Sequence, residues 1–442
     1  MQLVLRIAAT LLLVMGLSAP ARAVTLLRDP DIEHALNRLA QPVLTAAGLP
    51  AASIKVLVID DSSYNAYIVD NRHIFIHSGL LLKLSGAAQL QSVIAHEAAH
   101  IANGHIARRT QNARAANSLA GLGMALAAAA AVSTGNAAAA AGLSVGLQSA
   151  ADRAFMAHTR AEESAADNSG LRYMLGAGVD PKAFLQVLDI FRGQELVSEL
   201  RQDPYARTHP MSRDRLRALA ALIEGNAPRK SADPQAEYWF ARAHGKLSAF
   251  SRAPGWTLRR AHDSLTPDIR LMREAVAYHR TPDTARAIAA VDQLAAMRPD
   301  DPFVHELRGQ ILLESRKAQA AVAAYARAAA LAPKDALILG GHGRALLAAG
   351  RHKEALVVLE MARARDSTDA RLLRDLAVTY AQLDQTGMAS LVTAERYALI
   401  GRSKDALIHA KRAEGLLPRG SAPWLRSQDV ISASDAAENK RN

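Results

Sequence analysis

The stretch His96-Glu97-Ala98-Ala99-His100 decides how this chain is read. Two histidines four apart on a helix share one face and lie one turn apart, so their imidazoles can converge on a single metal ion. The glutamate that follows the first histidine is then placed as a proton acceptor beside that metal. A zinc-dependent hydrolase needs this combination of two neutral nitrogen ligands, a base and an open coordination position. The bland alternative is a surface helix that happens to carry two histidines, and the surrounding residues have to decide.

Leu81 to Ala95 has helical apolar spacing without a proline and runs directly into His96, then on through Ile101, Ala102 and His105. Ala95, Ala98, Ala99 and Ala102 keep this helix slim enough to be buried. A buried histidine pair is costly unless it is hydrogen-bonded or metal-bound. His105, five residues past His100, is rotated off the ligand face and reads as a helix-end residue or a support behind the ligands. A third ligand is expected in the acidic cluster Arg160-Ala161-Glu162-Glu163-Ser164-Ala165-Ala166-Asp167. Glu163 and Asp167 share a helix face, so one could bind metal while the other accepts a hydrogen bond from a ligating histidine. Spacing alone does not choose between Glu162 and Glu163. An acidic first turn complementing the helix dipole is the plain alternative.

HEAAH followed by Glu163-Ser164-Ala165-Ala166-Asp167 resembles the H-E-x-x-H and E-x-x-A-D pair of the Oma/HtpX/Ste-type zinc metallopeptidases. The stretch from Asn65-Ala66-Tyr67 through His73-Ile74-Phe75-Ile76-His77-Ser78-Gly79-Leu80-Leu81 resembles the two strands and G-L-L turn that precede the metal helix in that family. Thr208-His209-Pro210, with Arg215 six residues past the histidine, resembles its T-H-P segment. The resemblance spans roughly residues 30 to 225. It implies one Zn2+ per chain held by His96, His100 and Glu163, with Glu97 as general base and Asp167 behind the ligands. It also implies catalytic roles for His209 and Arg215, near the metal or the oxyanion. Many members carry a second glutamate where this chain has Ala165, a departure that touches the surroundings of the site and not a ligand. The segment His73 to His77 reads as a half-buried strand. As a free edge it could hold an extended substrate by strand addition; a plain core strand is the other reading. His209, in a loop-like stretch with two prolines, could reach the metal as an inhibitory fourth ligand that swings away on activation; the pattern leaves this open.

The N-terminus speaks to compartment. Arg6, the apolar run Ile7 to Leu17 and Ala21-Arg22-Ala23 have the order of a signal peptide cleaved after Ala23. The run is shorter than the ~20 apolar residues that span a bilayer. The chain has no cysteine, which excludes disulfides and thiolate ligands and fits export without oxidative folding. The expected location is the periplasm of a Gram-negative bacterium. A formal net charge of +11 comes without a basic block or aromatic-basic interleaving, so nucleic acid is not an expected partner; anionic membrane surfaces or acidic partners are. Residues 117 to 148 are rich in alanine, glycine and leucine, without charge. They read as two short helices packed over the cleft, placed to rest on a membrane surface; a single transmembrane hairpin is the other reading.

The C-terminal half repeats. Pro299, Pro333 and Ser367 are spaced by 34 residues. Counting back from them gives Ala275, Ala287, Val291 and Leu294; then Gly309, Ala321, Tyr325 and Ala328; then Gly343, Ala355, Leu359 and Ala362. These are the small and aromatic packing positions of a tetratricopeptide repeat, which this region resembles. Met388 to Leu417, around Gly401, continues the stack. Such solenoids present a concave groove for peptides or partner proteins. The expected fold is therefore mainly α: a signal peptide over 1–23, an α+β zincin-like metallopeptidase domain with a small sheet over 24–228, an all-α tetratricopeptide solenoid over 229–420, and a disordered polar tail over 421–442.

This combination resembles the group of periplasmic beta-barrel assembly-enhancing proteases. The resemblance implies a zinc metalloendopeptidase acting on misfolded or misassembled envelope and outer-membrane proteins. It also implies repeats that recruit clients or dock on the outer-membrane barrel-assembly complex. The alternative, from a different class, is a chaperone-like binding module whose peptidase fold is largely latent.

Overall fold

A computed structural model describes residues 25–108, 111, 160–192, 209, 213–225 and 233–439. The expected signal peptide, the 117–148 stretch, Thr208 and Pro210 lie outside the described residues. The chain forms two compact units, Leu26–Arg351 and His352–Asn442.

In the first unit, Asp29 accepts from Ile32 N at 2.9 Å and caps the helix Pro30–Ala46, with Pro30 in its first turn. Four strands follow the chain as β1 (Leu26–Leu27), β2 (Lys55–Ile59), β3 (Ala66–Ile68) and β4 (His73–His77). Their order is β1-β2-β4-β3; β2 and β4 run parallel, and the two outer pairs are antiparallel. His73 to His77 is therefore an interior strand with neighbours on both sides, and the free-edge reading of it is corrected: the edge beside β4 is β3. The hairpin that pairs Tyr67 with Phe75 covers that side of β4. Strand β4 runs straight into the helix Ser78–Lys83. Gly79 is required there, because a Cβ would lie 2.0 Å from Ser62 O. This tight corner delivers the chain to the helix Ala87–Ala102, whose residues from Leu90 to Ile101 are all buried. Leu36, Leu39 and Val43, Val56, Val58, Ile74 and Ile76, Val93 and Ile94, and Phe184, Leu188 and Phe191 form one apolar core around that helix.

The same core takes in Phe240, Ala243 and Leu247 from the helix Pro234–Ser251. Polar groups of this helix reinforce the attachment. Glu237 accepts from Ala87 N at 3.2 Å, at the N-terminus of the buried Ala87–Ala102 helix. Fully buried Lys246 donates to Asp29 at 3.0 Å and lies 3.7 Å from Glu306. Arg242 contacts Asp31 at 2.7 Å and donates to Asp301 at 2.6 Å. Three segments distant in sequence are thus tied by buried charges, which are tolerated only because each meets its opposite.

From Pro267 the first unit consists of antiparallel helices: Pro267–Arg280, Thr284–Met297, Pro302–Glu314, Ala318–Leu331 and Ala336–Ala348. The 34-residue period has a capping component. Asp301, Asp335 and Asp369 each accept from the backbone N two residues on, at 3.0, 2.9 and 2.8 Å, and start a helix. The small residues are where close approach demands them. The ring of Tyr325 lies against both Gly309 and Gly341; an added Cβ would come within 2.6 and 2.3 Å of it. Gly341 is thus the partner of Tyr325 that the register count at Gly343 misses.

The second unit contains His352–Arg363, Ala370–Gln382, Thr386–Leu399, Ser403–Leu416 and Ala422–Asn439. The last of these corrects the expected disordered tail. Its polar composition conceals a packing face: Ser427 and Ser434, seven apart, are buried, and Arg426 donates to Glu395 at 2.8 Å. Among the described residues, no helix is long and apolar enough to cross a membrane.

Replacing Gly341 by alanine should force Tyr325 out of its seat and destabilise the first unit by about 1–3 kcal/mol. Thermal unfolding followed by circular dichroism measures this, and an unchanged midpoint would show that the ring has room to move.

Candidate metal centre

The helix Ala87–Ala102 carries His96, Glu97 and His100 on its buried length, at 1%, 1% and 2% exposure. Residues 160–177 form the facing helix and carry Glu163 and Asp167. The two helices can approach because Gly170 sits against the backbone of the first. A Cβ there would already be 3.3 Å from Ala95 O and 3.4 Å from His96 Cα. This brings four donors together: His96, His100, Glu163 and His209, all buried. His96 Nε2 is 3.1 Å from His100 Nε2, 3.2 Å from Glu163 Oε2 and 3.2 Å from His209 Nδ1. Glu163 Oε1 is 3.4 Å from His100 Nε2, and Glu163 Oε2 is 3.0 Å from His209 Nδ1. Ligands about 2.0–2.1 Å from a tetrahedral zinc ion are about 3.3 Å from one another. The donor set, three imidazoles and a carboxylate, and its spacing both fit zinc.

Of the two adjacent glutamates, Glu163 is the one that joins the cluster. Glu163 faces the histidines, whereas Glu162 is not one of the four. Asp167, one turn on, lies 3.2 Å from His96 Nδ1 and is gripped by Arg215, whose Nε and Nη2 each donate at 2.8 Å. Arg215 is buried and also lies 3.5 Å from Glu163 Oε2. Its guanidinium therefore engages the carboxylates behind and beside the donors. Glu97 Oε1 is 3.5 Å from His209 Nε2, which also lies 3.3 Å from Ala66 O on the edge strand β3.

Of the two sequence readings of His105, the structure favours the support behind the ligands. The helix ends at Asn103, and Gly104 adopts φ +69°, a left-handed conformation suited to glycine. That turn folds His105 back until its Nδ1 lies 2.8 Å from His100 Nδ1. With a metal on His100 Nε2, its Nδ1 would carry the proton and donate it to His105. A helical wheel shows only that residue 105 is off the ligand face; Gly104 just before it was the available signal that the chain turns there.

Burial alone would push the His96 imidazole down. The carboxylates of Asp167 and Glu163 outweigh it and bring that group up to about 10. Burial would likewise raise Glu163, but His209 and His96 hold it well below the ordinary range; Asp167 is held down against burial by His96 and Arg215. The centre therefore demands positive charge. Without metal a proton supplies it, and a divalent cation has to displace that proton.

Residues 27–223 match the model of Peptidase family M48, and residues 312–386 match a tetratricopeptide repeat model. The chain carries an M48 metallopeptidase domain followed by tetratricopeptide repeats. Its homologues in several Gram-negative bacteria bear the name beta-barrel assembly-enhancing protease. The putative protein of that name from Vibrio cholerae is 26% identical over 295 residues, 63% of this chain and 58% of the relative. The one from Escherichia coli is 25% identical over 193 residues, 43% of this chain and 39% of the relative. A mitochondrial metalloendopeptidase of Schizosaccharomyces pombe is 27% identical over 208 residues, 46% of this chain and 57% of the relative. The chain thus spans about half the length of the curated relatives it matches.

Two expectations follow. With His96 holding a proton in the metal-free protein, zinc affinity should rise about tenfold per pH unit while one proton leaves per ion bound. Chelator competition between pH 6 and 8 measures this, and a flat profile would contradict it. His105→Phe removes the acceptor for His100 Nδ1 and should weaken zinc binding by about 10- to 100-fold, with His105→Asn recovering part of the loss in the same assay.

Proposed function

We propose that this chain is a zinc-dependent metalloendopeptidase of the bacterial envelope that hydrolyses peptide bonds in misfolded or misassembled outer-membrane proteins. The observation that carries the reading is the set of four buried donors, five of whose pairs lie 3.0–3.4 Å apart, with Glu97 at its rim. His96, His100 and Glu163 would hold the ion, with His209 in the remaining donor position. The ion, when bound, supplies a Lewis-acid centre that polarises a peptide carbonyl and makes water acidic near neutral pH.

The chain's own residues do the rest. Glu97 accepts the proton of the attacking water and passes it to the departing amine as the C–N bond breaks. Asp167, fixed by Arg215, orients His96; His105 orients His100. Arg215, occupied with Asp167, acts in this reading through the donors more than on the oxyanion. The edge strand β3 offers backbone groups for an extended substrate, which selects unfolded segments over folded ones. His209 contacts both Glu163 and Ala66 O, so it stands where the substrate carbonyl and the first strand pairing would go. It has to move aside before cleavage.

The names of the relatives support barrel proteins as the substrate class, and the leader-like N-terminus supports the periplasm. The repeats are suited to recruiting clients or the barrel-assembly machinery. A second reading, client binding by the repeats with the peptidase mostly latent, is favoured by the position of His209 in the fourth donor place.

Cleavage of unfolded casein and of a refolding barrel protein separates the two. Glu97→Gln should lower cleavage by about 10²- to 10⁴-fold while zinc content stays at one per chain. His209→Ala should keep its zinc and cleave faster than the unaltered chain. Equal, negligible cleavage by all three proteins, with client binding preserved, would favour the second reading.

A further inference from the structure

Away from the metal centre, residues 251–265 connect the helices Pro234–Ser251 and Pro267–Arg280. Arg252, Arg259 and Arg260 are exposed there, around the half-buried Trp256. The guanidinium of Arg252 is 5.8 Å from the indole centroid and that of Arg260 is 5.5 Å from it, so the ring is bracketed by two cations. Two further arginines pin the chain on either side. Arg280 donates to Ala249 O at 2.9 Å and also to Arg252 O, and Arg273 donates to Arg260 O at 2.9 Å. Five guanidiniums thus gather on one short segment.

Little negative charge answers them. Asp263 pairs with its neighbour His262 at 3.0 Å and answers Arg273 in part, leaving Arg252, Arg259 and Arg260. Arg252, Arg259 and Arg260 form no ion pair with a carboxylate among the described residues. The imbalance is felt locally. His244 is held below its ordinary range first by burial and then by Arg273 and Arg252. Leu265, 58% exposed, follows in the same connection.

Unanswered arginine forks match phosphate oxygens in geometry and charge. A tryptophan between them, with an exposed leucine nearby, is the side-chain mix that settles at the headgroup level of a bilayer. An acidic protein would answer the arginines but leaves the apolar side chains without a role. We propose that residues 251–265 dock this protein on an anionic phospholipid surface, with Trp256 entering the headgroup layer and Arg252, Arg259 and Arg260 pairing with lipid phosphates.

The test uses the full chain and vesicles of phosphatidylcholine alone or with about a third phosphatidylglycerol. Sedimentation should show binding to the anionic vesicles only. An arginine at such a surface strengthens binding about fivefold, so Arg252→Glu/Arg259→Glu/Arg260→Glu should weaken it by more than about a hundredfold. Lys411→Glu/Arg412→Glu/Arg419→Glu changes the net charge equally at exposed sites elsewhere and should leave binding within a few fold. The chain has three tryptophans; a blue shift of emission on vesicle addition should vanish in Trp256→Phe, which also serves if the triple variant fails to fold. Equal losses in the two triple variants, or binding to neutral vesicles, would overturn the proposal. So would an unchanged blue shift in Trp256→Phe. Displacement of bound vesicles by poly-glutamate, with Trp256→Phe binding like the unaltered chain, would assign the segment to an acidic protein instead.

Discussion

A single buried imidazole holds the centre together. His96 Nε2 touches three other donors, while its Nδ1 faces Asp167, which Arg215 clamps from behind. This chain of contacts crosses from the helix Ala87–Ala102 to the helix of residues 160–177 and on to the helix Arg213–Glu224. Its length is set by backbone contact at Gly170, where no side chain separates the two facing helices. A carboxylate behind a ligating histidine fixes both its tautomer and its ring plane. The donors therefore stand at distances that suit a metal ion already.

Preorganisation has an electrostatic side. Two carboxylates and several imidazoles share a volume with almost no solvent exposure. Such a group is stable only if a cation balances it. The raised His96 and depressed Glu163 are the two sides of that balance, each held against burial by the other's charge. The same logic operates at Lys246, which is fully buried among Asp29, Asp31 and Glu306. There burial pushes Glu306 up to about 8 against the pull of Lys246. One cluster offers the donor set of a metal site and the other ties the first helix of the peptidase region to the first repeats. They differ in chemistry because imidazole nitrogens have lone pairs to offer and an ammonium has none.

Much of this was legible from residue spacing. Helix periodicity places His96 and His100 on one face, and the 34-residue period places Tyr325 and one of its two glycine neighbours, Gly309. The errors share a cause. The strand His73–His77 was read as a possible edge because alternation reports one buried face and says nothing about how many neighbours a strand has. The tail was read as disordered because composition weighs polar residues equally, whereas Ser427 and Ser434 matter through being small and seven apart. For His105 the pattern leaves a helix end and a support behind the ligands both open, because a helical wheel assumes that the helix continues, and Gly104 ends it.

By itself, then, the chain's order of residues determined the local chemistry: two imidazoles and a base on one helix, a pair of carboxylates on another, and a repeat of caps and small residues. These are properties of periods of a few residues, which backbone geometry dictates directly. Tertiary structure alone decided which carboxylate faces the histidines, that His209 closes the group from over a hundred residues away, that Arg215 serves Asp167, and that β3 forms the edge. Each depends on contacts between segments far apart in the chain, and such contacts follow from how closely backbones can pack, which no short-range pattern records.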